Sequence, residues 1–135
     1  MSSDQDEPCS HGALPSVEDL EVFRLAYALS LELHRASQQW PKSEQYGGVA
    51  DQIRRASQSV CALMVEGAGR LPGSRAEFKR YLLMALASAD EATLWCRYAH
   101  DLGYADAETV AGWRNGFGRI ARMLHALRNR DGNHS

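Results

Sequence analysis

The chain has 135 residues, 44% of them hydrophobic and 24% charged, which is one domain's worth of sequence with enough apolar side chains to bury its own core. A formal net charge of −2 and a pI near 6.2 exclude the positive excess of a dedicated nucleic-acid binder. No stretch approaches the ~18 uninterrupted apolar residues of a membrane span. The N-terminus is acidic where a secretory signal is basic and then apolar. Cys9, Cys61 and Cys96 are odd in number and form no Cys-x-x-Cys pair, so a disulfide framework is not expected, and Cys61 and Cys96 read as small core residues. Together these features predict a soluble, untargeted protein of the reducing cytoplasm, without membrane contact.

Residues 1–16 combine Ser, Asp, Pro, Gly and His with only two aliphatic positions, and predict a disordered acidic arm. Ser16, with Asp19 three residues on, can cap a first helix running to about Gln39. Two seams run along it: Leu20, Phe23, Tyr27 and Ser30, and Val22, Leu25, Leu29, Leu33 and Ala36. A helix apolar on two faces has two neighbours. Trp40-Pro41 ends it, because proline cannot continue the ladder and pushes the preceding residue out of the helical region. Ser43 then caps a second helix with the seam Tyr46, Val49, Ile53, Ala56, Val60 and Leu63, its first turns weakened by Gly47-Gly48. Gly67 and Gly69 stop it, and Ser74 with Glu77 makes a capping box for a third helix. That helix carries Phe78, Tyr81, Leu82, Ala85, Ala89, Ala92, Trp95, Ala99 and Leu102, whose small members predict a closely packed neighbour, and it ends at Gly103. Asp106 caps a fourth, with the seam Val110, Trp113, Phe117, Ile120, Leu124 and Leu127.

Four helices joined by short turns, with no strand-like alternation, predict an all-α, antiparallel up-down-up-down bundle over residues 17–130, followed by a flexible tail at 131–135.

The chemistry this composition lacks is informative. There is no Glu-x-x-His for a carboxylate-bridged metal pair and no His-Glu-x-x-His for zinc. Gly67-x-Gly69 has no Lys-Ser/Thr behind it to make a phosphate loop, and no serine is paired by pattern with a base. No catalytic, cofactor or metal residues are assigned, and the chain reads as non-enzymatic. The most concentrated polar feature is a row on the second helix, Gln52, Arg55, Ser59 and Glu66, at steps of three, four and seven that return to one face; Glu66 also precedes Arg70 by four. Lying beside an apolar seam, such a row predicts hydrogen-bonded contacts between helices or subunits. Charge is also divided along the chain. Asp4, Asp6, Glu7, Glu18, Asp19 and Glu21 precede Arg24, whereas Arg114, Arg119, Arg122, Arg128 and Arg130 have no acid among them and are the candidate nucleic-acid contacts.

A set of these residues resembles the bacterial four-helix-bundle proteins encoded within intervening sequences of 23S ribosomal RNA genes. The resemblance covers about residues 20–128 and rests on Pro41-x-x-Glu44, Gln52-Ile53-Arg54-Arg55-Ala56, Ser59, Glu66-Gly67 with Gly69-Arg70, Phe78, Leu82, Ser88 with Glu91, and Leu102-Gly103-Tyr104. It implies a left-handed antiparallel bundle assembling as a homopentamer, with no established enzymatic activity and an unsettled role, while Gln52, Arg55, Ser59, Glu66, Arg70, Ser88 and Glu91 are read as a structural polar stripe. More distantly, the chain is similar to the accessory variability proteins of diversity-generating retroelements, which share the pentameric barrel and bind reverse transcriptase and RNA. It lacks their strong basic excess, and its acidic arm has no counterpart in the shared motifs. The expected function is therefore a homo-oligomeric scaffold or interaction protein, the alternative being an accessory protein that binds RNA or DNA weakly through basic faces of a ring.

Overall fold

The structure, a computed structural model, describes residues 16–130; all of the predicted arm but Ser16, Cys9 included, and the predicted tail at 131–135 lie outside them. Four α-helices make up the described chain: α1 (Glu21–Ser37), α2 (Val49–Gly69), α3 (Arg75–Asp101) and α4 (Ala107–Arg130). Short 3-10 turns, Val17–Asp19 and Lys42–Glu44, precede the first two, and there is no strand among the described residues.

Each helix packs on its sequence neighbours, α4 returns to α1, and the diagonal pairs stay apart. Cross-helix contacts set the directions. From α1 to α2, Ser37 meets Arg54 and Ser30 meets Cys61; from α2 to α3, Ser59 meets Ser88 and Arg70 meets Tyr81. From α1 to α4, Glu21 meets Arg119 and Glu32 meets Trp113. In each pair one number rises as the other falls, so these neighbours run antiparallel. The core between them is formed by Leu33, Ile53, Met64, Leu82, Phe117, Ile120 and Leu124, all essentially without solvent exposure. Each such side chain contributes about 1.5–3 kcal/mol by leaving water. On α3, Ala85, Ala89, Ala92 and Ala99 are buried and let its neighbours approach.

Several local expectations need correction. The Ser16–Asp19 capping box forms, but on the Val17–Asp19 turn, because Leu20 is extended and starts α1 without a side-chain cap. Ser43 does not cap α2. It lies in the Lys42–Glu44 turn, and α2 begins at Val49, whose N–H donates to Glu44 Oε1 at 2.8 Å. Tyr46 is therefore outside the helix and 92% exposed rather than the opening of a seam. The two glycines likewise precede α2 instead of weakening it. Gly47 adopts φ +80°, and a Cβ at Gly48 would overlap the Glu44 side chain and backbone. At α3, Ser74 Oγ accepts the Glu77 N–H, while the Glu77 carboxylate engages Arg80 instead of closing the box.

Candidate interaction surfaces and the residues that build them

The polar row of α2 lies along the outer edge of the α2–α3 seam. Ser88 Oγ and Ser59 Oγ meet at 3.0 Å across that seam. Gln52 is half-buried and reaches back to the Gly47 carbonyl. Arg55, with a side chain 74% exposed, uses its Nε on Asp51 of the previous turn at 3.1 Å. Glu66 is exposed. Arg70 turns to α3, where its guanidinium donates to the Tyr81 hydroxyl at 2.9 Å and lies 5.1 Å from that ring's centre. Glu91 accepts the Trp95 indole N–H at 3.1 Å. Within one chain, then, the row joins Ser59 to Ser88 and leaves Arg55 and Glu66 facing outward.

Beside that row, α3 presents an apolar surface that no helix among the described residues covers. Leu83, Met84, Leu94, Tyr98 and Leu102 are between 38% and 51% exposed. Leu94, Tyr98 and Leu102 follow at steps of four and Leu83 precedes Leu94 by eleven, which places them with Met84 on one side of the helix, where Ala87 and Glu91 also lie. This stripe was not legible from the core seam of α3, since Leu102, assigned to that seam, belongs outside it.

The α4 arginines do not form a single stripe. Arg119 pairs with Glu21 at 2.9 Å on the α1 side, and Arg130 borders a cleft of about 260 Å³ with Leu20, Val22, Met123 and Leu127. Arg114 lies on the α3 side, where two adjoining clefts of about 260 and 470 Å³ share Ala111 and Arg114. Arg122 folds back towards Gly118, and Arg128 is half-buried, its Nε enclosed without a partner among the described residues. Asp90 and Asp101 interrupt the positive charge along the α3–α4 clefts.

The most elaborate polar network was not anticipated as a unit. It ties the α1–α2 connection to the α3–α4 connection at one end of the bundle. Tyr104 donates to Glu44, whose other oxygen takes the Val49 N–H. Arg54 donates to Ser37 Oγ at 2.7 Å and Gln45 Oε1 at 2.6 Å, while the Gln45 amide donates to the Ser37 and Trp40 carbonyls. Trp40 packs against Tyr104 and Trp113, and the Trp113 indole donates to Glu32 at 2.9 Å. The motif residues Glu44, Arg54 and Tyr104 thus converge here, and the geometry gives them a scaffolding task.

This network makes stability depend on pH. The Tyr104 hydroxyl and the Val49 N–H hold the Glu44 carboxyl below its usual 4.5, and the same contact raises the Tyr104 phenol above 10. A depressed carboxyl adds stability above its unfolded value that is lost as pH falls through the folded one; a raised phenol adds stability below 10 that is lost as pH climbs. Thermal melts of wild type should therefore weaken below about pH 4.5, and Glu44→Gln should show a shallower acid limb. Parallel acid limbs for the two proteins would contradict the contact.

Elsewhere the titratable chemistry is subdued. Burial pushes the Cys61 thiol up to about 11 and Cys96 up to about 12, so both remain protonated packing groups. Among the described residues there is no group of three metal-ligating side chains, and no helix is long and apolar enough to cross a membrane.

The described residues are all-α, four α-helices whose motif residues build helix connections and helix contacts, and this is the class that fold and surface define. The chain belongs to the 23S rRNA-intervening sequence protein family, whose sequence pattern matches residues 18–126. It is similar in structure to a Bacteroides thetaiotaomicron protein of unknown function from the S23 ribosomal protein family, with a TM-score of 0.71 at 20% identity over 79% of this chain and 97% of that one. At that identity the likeness is one of fold. No curated protein matches the sequence.

Proposed function

We propose that the protein is a non-enzymatic scaffold or interaction module that works as a homo-oligomer, the pentamer being the number its family resemblance implies. The observation that carries this reading is the uncovered apolar stripe of α3. Five large apolar side chains, each more than a third exposed, lie on one side of α3 and its C-terminal cap, with the exposed Glu91 among them, beside a row of hydrogen-bonding groups. That combination of apolar core and polar rim is the anatomy of a specific protein contact. A second copy is the partner always present at matching concentration. The alternative, an accessory protein for RNA or a reverse transcriptase, draws less support, because the α4 arginines are dispersed and Arg119 is neutralised by Glu21.

Leu94→Asp and Tyr98→Asp place charges on the stripe at exposed positions, leaving the core of the single chain intact. In sedimentation velocity at micromolar concentration, each variant should release smaller species than wild type while keeping its helical circular dichroism. Unchanged assembly in both variants would remove the stripe from the contact.

A further inference from the structure

The outward face of α2 has a symmetry of its own. Arg55, Ser59, Ala62 and Glu66 are separated by four, three and four residues, a spacing that reads the same in both directions. The chemistry reads basic, small, small, acidic. Arg55 lies as far before the midpoint of the Ser59–Ala62 pair as Glu66 lies beyond it. Arg55, Ala62 and Glu66 are exposed and Ser59 is half-buried, so the four share one accessible strip.

We propose that α2 packs antiparallel on α2 of a second copy about a two-fold axis between Ser59 and Ala62, setting Arg55 of each chain against the partner's Glu66. This rests on the assembly reading above and adds a specific contact to it. Ser59 and Ala62 at the centre let the two helix axes approach to roughly 8 Å. The two ion pairs at the ends fix register and direction. A parallel pairing in register would oppose arginine to arginine and glutamate to glutamate, so the charge pattern selects the antiparallel arrangement. Of the adjacent arginines, Arg54 is turned inward onto Ser37 and Gln45, leaving Arg55 to face out. Asp51 occupies the Arg55 Nε, and a guanidinium with five donors keeps its terminal nitrogens for a second carboxylate. One helix row is a small contact, so the pairing adds to the larger α3 contact and does not replace it. Added to a ring of five, this contact gives a particle of ten chains.

Charge reversal tests it on the full chain. Arg55→Glu and Glu66→Arg each replace two attractions by two repulsions and should weaken self-association about tenfold or more, measured by sedimentation equilibrium at low salt. The double variant Arg55→Glu/Glu66→Arg rebuilds both pairs in reverse and should recover wild-type association. Ala62→Phe, at an exposed position that the single chain tolerates, should block the approach without altering the charges. Folding of every variant is checked by circular dichroism. Single reversals without effect, a double variant no better than the singles, or an isolated five-chain ring would overturn the two-fold contact while leaving the assembly reading in place. A monomeric wild type would overturn both.

Discussion

Replacing Trp113 by alanine is expected to cost about 3–5 kcal/mol of folding stability, the range for losing a large buried aromatic with incomplete collapse around the cavity. Trp113 is 3% exposed and lies against Trp40, which in turn packs on Tyr104. Removing it opens a void beneath both chain connections at that end of the bundle, and the Arg54–Gln45–Glu44 network above loses its floor. Trp113→Phe separates packing from hydrogen bonding. It keeps an aromatic ring in place and gives up the bond to Glu32, whose exposed carboxylate returns to water, for a cost of about 1 kcal/mol. Urea unfolding of the two variants measures both quantities, and equal losses would contradict the packing account.

At the other end of the bundle, Gly67→Val should destabilise by about 1–3 kcal/mol or more through overpacking. A Cβ at Gly67 would lie 2.8 Å from the Tyr81 Cβ, a separation that cannot relax by rotating a side chain because both atoms are fixed to helix backbones. Phe78 borders the same spot, and the Arg70 guanidinium sits over the Tyr81 ring. Prying α2 from α3 there would also disturb the Arg70 hydrogen bond. Gly67→Ala should lose less, since alanine's better helix propensity offsets about 1 kcal/mol. Chemical unfolding should rank wild type above alanine and alanine above valine; a valine variant as stable as wild type would show that the helices do not approach this closely.

Gly67 also shows what could be read from the residues alone. As a glycine near a helix end it was expected to be a terminator, yet it lies inside α2 and serves as a point of close contact. Helical spacing revealed the inward seams well: Ile53, Ala56 and Val60 on α2, and Val110, Trp113, Phe117, Ile120 and Leu124 on α4, are all buried. Three-four periodicity is imposed by core packing, so it is strong where a helix meets its neighbours. Starts of helices were less legible. The α2 cap is a carboxylate five residues upstream, reaching over a glycine with no room for a Cβ, and no local pattern marks such a reach. The Glu44–Tyr104 bond joins residues 60 apart in sequence and was visible only as two separate motifs.

The polar row was legible as a face, while its division between inward and outward partners was not. Ser59 satisfies itself across the seam, whereas Arg54 and Arg55, neighbours in sequence, point to different surroundings because one helical step changes the face. The arginines of α4 illustrate the converse. They cluster in sequence without an intervening acid, but their spacings of five, three, six and two residues scatter them around the helix, and the acid that pairs with Arg119, Glu21, comes from another element.

The central claim is that this bundle is the subunit of a homo-oligomer, and the mass of the undissociated particle tests it most directly. Native mass spectrometry or light scattering of the full chain at micromolar concentration should give a multiple of the 15.0 kDa subunit, and that multiple should persist on dilution through the low micromolar range. A particle of 15.0 kDa under the same conditions would contradict the account, leaving the α3 stripe without the partner for which it is proposed.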